Sequence, residues 1–189
     1  LGKKVILMAT STGGTNALQL AATYPDDVAA LILLSPNVAI NDGSAWLLNN
    51  HWGKQIAHTV LGSYYVTAKD SRPVYKQYWN YHYRIEGAVA LEEYLETTMI
   101  PSTFEKVKQP LLLLYYYKDE QHQDPVVKVS AMLKMYDELG TAANRKREIA
   151  MPNTGDHVIG SPFKSHDAMG VQDEIERFMK EVLKLKALQ

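Results

Sequence analysis

Ser11 stands in the run Ala9-Thr10-Ser11-Thr12-Gly13-Gly14, between an apolar stretch and a segment with helical spacing. A serine hydroxyl is a weak nucleophile until a neighbouring base takes its proton. It must also stand clear of the backbone, and a sharp strand-to-helix turn that strains the serine presents it in that way. Such a turn brings together the residues two before and two after the serine, so both must be small; here they are Ala9 and Gly13. Gly14 lets the following helix lie close to the strands. The helix start points its dipole and free N–H groups at developing negative charge, and the Thr12 N–H is the expected oxyanion donor. The five residues alone could be a polar strand-helix loop. Their position between a buried strand and an amphipathic helix favours the nucleophile.

A phosphate cradle is the competing chemistry for a strand-Gly-Gly-helix turn. It wants Gly-x-Gly-x-x-Gly and an acid about 20 residues on. Gly13-Gly14 followed by Asn16-Ala17, with Ser35-Pro36 after the second strand, does not fit.

The general base is expected at His157, in Gly155-Asp156-His157, on the loop after the last strand and ahead of the final helix. The other histidines are less well placed: His51, His58 and His82 fall in an insertion, His122 in a polar loop and His166 near the last helix. The acid comes from Asp119-Glu120-Gln121-His122-Gln123-Asp124-Pro125-Val126-Val127. Asp119 is nearer the preceding strand. Asp124 is preferred, because Val126 and Val127 anchor it and an imidazole tautomer is best held by an anchored carboxylate. The order is then Ser, Asp, His.

Four apolar runs must position these groups: Val5 to Ala9, Val28 to Leu34, Leu111 to Tyr116, and Arg147 to Met151. Their lack of alternation predicts buried parallel strands covered on both faces. Helices are expected over about 12–24, 129–139 and 171–186. Ser130 is the expected cap of the second, and Gly140 its left-handed stop. Val171, Ile175, Phe178, Val182 and Leu185 give the last helix one apolar face. Strands alternating with helices predict an α/β fold with a parallel sheet. Residues 37–104 break the rhythm and are rich in aromatics, including Trp46, Trp52, Tyr64, Tyr65, Tyr75, Tyr78, Trp79, Tyr81 and Tyr83. They are too long for a simple loop and are read as a mostly helical cap, with 1–36 and 105–189 as the core.

Composition narrows the partners. Lys plus Arg (20) nearly balance Asp plus Glu (21), so no nucleic-acid partner is indicated, and the run Arg145-Lys146-Arg147 reads as a solvated face. There is no cysteine, which excludes disulfides, thiolate metal sites and cysteine nucleophiles. No apolar run reaches the roughly 18 residues of a membrane span. A soluble protein is expected, with the cytoplasm favoured. No signal peptide is visible, but the chain opens on Leu1 and runs almost at once into a strand, so sequence upstream is expected.

At these residues the sequence resembles the α/β-hydrolase superfamily, and within it the esterase, lipase and acylglycerol-lipase-like members. The likeness rests on Ala9 to Gly14, on Ala30 to Pro36, on Asp124-Pro125-Val126-Val127 and on Gly155-Asp156-His157. Ala9 departs from the family's glycine. The resemblance implies the C-terminal portion of an α/β-hydrolase fold, because the family's sheet begins with strands upstream of the elbow strand. An N-terminal portion of the same protein would complete the sheet and supply the second oxyanion donor. It further implies a Ser11-His157-Asp124 triad acting through an acyl-enzyme on a small ester, without cofactor or metal. The aromatic cap suggests an apolar group on that substrate. Thioester and peptide substrates, or a non-catalytic hydrolase-like binding module, are the alternatives.

Overall fold

The computed structural model describes residues 3–43, 64–67, 70 and 72–185. Trp46, His51, Trp52 and His58 lie outside the described residues. The chain divides into two units, Leu1–Asn41 with Thr98–Gln189, and Asp42–Thr97.

The larger unit is built on strands β1 (Val5–Ser11), β2 (Val28–Pro36), β5 (Leu111–Tyr115) and β8 (Lys146–Ala150), all parallel and adjacent in that order. Their residues alternate between two cores. Leu31, Leu33, Leu111 and Leu113 pack with helices α1 (Thr12–Thr23), α4 (Pro101–Phe104) and α5 (Val129–Glu138). Ile32, Leu34, Leu112 and Leu114 pack against Val171 and Phe178 of α6 (Ala168–Glu181). Because the chain crosses the sheet in one direction, right-handed crossovers put α1 and α5 on the same face. A two-stranded hairpin, β6 (Tyr117–Asp119) with β7 (His122–Gln123), leaves the end of β5.

The smaller unit holds an antiparallel pair, β3 (Tyr65–Thr67) with β4 (His82–Arg84), and helices α2 (Pro73–Tyr78) and α3 (Ile85–Thr98). The hairpin was not foreseen; its strands are three residues each, and Tyr65, Thr67 and His82 to Arg84 face solvent, so no buried-strand run marks them. His82 sits in it, stacked on Tyr65 and 3.0 Å from the Thr67 hydroxyl.

Three local expectations are corrected. Ser130 does not cap α5: the N-cap is Lys128, and no side chain caps it. Gly140 is not left-handed, since Gly155 is the glycine with positive φ among the described residues. A Cβ at Gly140 would strike the Glu105 carbonyl, so close backbone approach requires this glycine. Nor is β1 covered on both faces. It is the edge of the sheet, and Val5 and Met8 are 54% and 55% exposed. The opposite edge, β8, carries Lys146, Arg147 and Glu148, the charges that normally blunt an unpaired strand. Arg147 also bonds Glu181 at 2.7 Å. Among the described residues no helix is long and apolar enough to cross a membrane.

Gly14 fixes how closely α1 approaches β2. A Cβ there would come within 2.6 Å of Pro36 Cβ, whereas one at Gly13 meets Ala9 Cβ at an ordinary 3.6 Å. We therefore expect Gly14→Ala to lower stability by about 1–3 kcal/mol through overpacking. Gly13→Ala should be neutral or slightly stabilising, by up to about 1 kcal/mol. Urea denaturation of the two variants checks the contrast.

Candidate active site

Parallel strands deliver their C-terminal ends to one edge of the sheet, where α/β folds gather functional groups. Ser11 ends β1, Asp124 follows β5 and β7, and His157 follows β8.

Ser11 takes φ 55° and ψ −128°, a conformation that non-glycine residues adopt only under constraint. It is the N-cap position of α1, yet its hydroxyl does not cap the helix and stays available for chemistry. Thr12 is the first residue of α1, so its N–H belongs to the set left free at a helix start. The strain is held from β2: the Asn37 N–H donates to the Ser11 carbonyl at 2.9 Å, and the Thr15 hydroxyl donates to the Asn37 carbonyl at 2.6 Å.

Asp124 has no solvent exposure. Its Oδ1 accepts the N–H groups of Val126 (2.9 Å) and Val127 (3.0 Å), and its Oδ2 lies 2.8 Å from His157 Nδ1. Burial pushes this carboxyl up. The His157 contact and the two backbone N–H groups outweigh it and hold Asp124 below the usual carboxylate range. His157 is 7% exposed, and its Nε2 is buried without a hydrogen bond to any described residue. With Nδ1 facing a carboxylate, Nε2 is the nitrogen free to accept a proton.

The competing acid stands apart. Asp119 is exposed in the β6–β7 hairpin and pairs with His122 Nδ1 at 2.7 Å. His166 lies beside Gly155, in the segment that returns toward α6. Among the described residues no group of three or more His, Asp or Glu side chains could hold a metal ion.

Sequence reading missed the segment from Pro36 to Asn41, which ties the Ser11 loop to the Asp124 loop. Asn37 grips Ser11 as above, and the Asn41 side-chain amide donates to the Asp124 carbonyl at 3.1 Å. The Asn41 N–H donates to Val126 O at 2.8 Å, and Ile40 bridges Val127. Ser35, at φ 45° and fully buried, marks the bend where this segment leaves β2. A Ser-Pro-Asn run at a strand end was the available signal, but contacts made through main-chain atoms leave no residue pattern.

Comparison with known proteins adds the lineage. Residues 1–154 match the sequence profile of a hydrolase family described as serine aminopeptidase, S33. No curated protein matches the chain by sequence. Among solved structures it is similar to the monoacylglycerol lipase of Paleococcus ferrophilus, with TM-score 0.67 and 16% identity over 95% of this chain and 69% of that one. A structure from work on the metagenome-derived lipolytic enzymes LipS and LipT gives TM-score 0.66 and 14% identity, over 94% of this chain and 66% of that one. Est1E of Butyrivibrio proteoclasticus gives TM-score 0.57 and 18% identity, over 96% and 62%. At such identities the likeness is one of fold. The chain spans only about two thirds of the length of these proteins.

A carboxyl held low in the native state stabilises the fold above its unfolded value, about 3.9, and loses that contribution as pH falls through the lowered native value. Asp124→Asn should therefore flatten the acid side of the stability curve below about pH 5, read by denaturant unfolding. Asp119 is also held low, by its His122 contact, but it is exposed and screened, and Asp119→Asn should leave the curve nearly unchanged.

Proposed function

The chain belongs to the serine aminopeptidase S33 family of α/β-hydrolases, and on that premise we propose that it is a serine hydrolase cleaving a carboxylic ester through Ser11, His157 and Asp124. The observation that carries this reading is the buried Asp124–His157 pair, which leaves Nε2 free on the sheet edge that also presents a strained Ser11.

In the proposed reaction His157 Nε2 takes the Ser11 hydroxyl proton as Oγ attacks the ester carbonyl carbon. The carbonyl oxygen becomes an oxyanion and accepts from the Thr12 N–H. Collapse breaks the ester C–O bond, and the leaving alcohol takes the proton back from His157 Nε2. Water then attacks the acyl-serine by the same relay, releasing the acid and restoring Ser11. Asp124 holds the imidazole tautomer and stabilises the imidazolium. The aromatic content of residues 37–104 supports an ester with an apolar acyl or alcohol portion.

The family description favours one further reading, an aminopeptidase acting on peptide amides by the same residues. Ester and aminoacyl-anilide substrates separate the two. A second oxyanion donor is proposed from a segment N-terminal to Leu1, pairing with the outer edge of β1 and completing the sheet. The uncharged, exposed β1 edge supports it, as does the two-thirds coverage of similar structures.

A fluorophosphonate probe should label the protein that includes this upstream segment, and Ser11→Ala should abolish labelling; absence of labelling in that complete protein overturns the reading. Turnover should fall on the order of 10³–10⁴-fold in Asp124→Asn and by less than about threefold in Asp119→Asn, where a solvated surface pair is lost. A larger loss from the Asp119 change reassigns the acid.

A further inference from the structure

The Asp124 carboxylate can meet His157 only if the peptide that carries it is held, and that peptide has few partners. Its N–H donates to Tyr116 O at 3.1 Å, just past the end of β5. Its carbonyl belongs to the bond with Pro125, which offers no N–H. The next three N–H groups are already committed. Those of Val126 and Val127 go to Asp124 Oδ1, and that of Lys128 goes to Ala39 O at 2.9 Å. Among the described residues one donor reaches the Asp124 carbonyl, the side-chain amide of Asn41 at 3.1 Å.

Asp124 has no solvent exposure, so water does not reach this carbonyl. Asn41 is itself exposed, and it covers a buried acceptor from outside rather than filling the core. Its own backbone fixes the cover: the Asn41 N–H donates to Val126 O at 2.8 Å, and Ile40 bridges Val127. Resting on the reading of Asp124 as the acid that orients His157, we infer that Asn41 is a positioning residue for the reaction, acting through Asp124.

A buried carbonyl without a donor is strongly disfavoured, so loss of the amide drives it to turn toward water. A peptide plane normally turns by opposite changes in the ψ before it and the φ after it, which leaves its neighbours in place. Pro125 locks its φ and restricts the residue ahead of it, so that local route is closed. Turning the carbonyl therefore moves Asp124 itself. Oδ2 then leaves its 2.8 Å contact with His157 Nδ1, and the imidazole loses the partner that aims Nε2. Leucine has nearly the size of asparagine and cannot donate, so it keeps the carbonyl covered and unpaired. Alanine opens the cover and admits water. An effect carried by hydrogen bonding thus makes leucine the more damaging replacement, whereas one carried by packing makes alanine the more damaging.

The test is fluorophosphonate labelling of Ser11 in the protein with its upstream segment, read as the maximal rate and the probe concentration giving half of it. Asn41→Leu should lower the maximal rate by about 10- to 100-fold, the cost of a contact misplaced by roughly 1 Å. The half-saturating concentration should stay within about twofold, because probe binding is untouched. Asn41→Ala should lose several-fold less than Asn41→Leu. In an Asp124→Asn background, Asn41→Leu should change the rate by less than about twofold, since a contact acting through the carboxylate has nothing left to act on. The role of Asn41 is overturned, with the triad reading intact, if Asn41→Leu labels at the parent rate, loses less than Asn41→Ala, or loses as much in the Asp124→Asn background as alone. If Asn41→Leu does not fold, Asn41→Ala carries the same background comparison: a loss that disappears in Asp124→Asn supports the role, and no loss or an equal one overturns it. A wild-type protein that never labels, or an Asp124→Asn variant that labels as fast as wild type, overturns the triad reading and this role with it.

Discussion

An ionised carboxylate with no solvent exposure survives only when its lone pairs are taken, because an unpaired buried charge costs several kcal/mol. Asp124 meets that condition with two backbone N–H groups on one oxygen and His157 on the other. The rest of the site is arranged around this requirement. The Val126 and Val127 amides can reach Oδ1 only if the chain turns sharply after Asp124, and Asn41 and Ile40 hold that turn from the β2 side. His157 can reach Oδ2 only if the loop after β8 comes back over the end of β5, its neighbour in the sheet. One buried charge thereby joins loops that follow three different strands.

The sheet's two margins have opposite chemistry, and the topology accounts for it. The order β1-β2-β5-β8 advances in one direction, so the connecting helices fall on one face and the other is left to α6. A single helix covers the inner strands but not β1. Met8 and Leu34 therefore border an apolar hollow of about 440 Å³ beside Val171 and Ile175 of α6. Apolar side chains thus line this outermost strand beside the hollow, and β1 presents an open apolar margin. At β8 the charged side chains leave no such margin.

Much of this was legible in residue order. Unbroken runs such as Leu111 to Leu114 announce a strand buried on both faces, and they lie where expected. The elbow was readable because steric limits act on residue type: Ala9, Gly13 and Gly14 are small where small residues are needed. That Asp124 is the anchored carboxylate of its segment was readable from the valines after it, and it is the buried one. The exposure of β1 was not legible, since Val5 to Ala9 is as apolar as its neighbours and sequence does not reveal which strand is outermost. The β3–β4 hairpin was hidden for a different reason: three-residue strands are too short to show a hydrophobic signature. Contacts carried by main-chain atoms, such as Asn37 on Ser11, left no trace at all.

The close seating of α1 on β2 has a consequence for how the two sides of the site respond to their medium. Ser11 is held by a steric spacing, Gly14 on Pro36, and by neutral main-chain bonds. Neither depends on ionic strength. The histidine side is held by carboxylates and an ammonium, Asp124 at His157 and Lys164 at Asp156, whose attraction weakens as salt is added, less so where they are buried. The serine side is set mechanically and the histidine side electrostatically, so dissolved ions can retune the second while leaving the first in place.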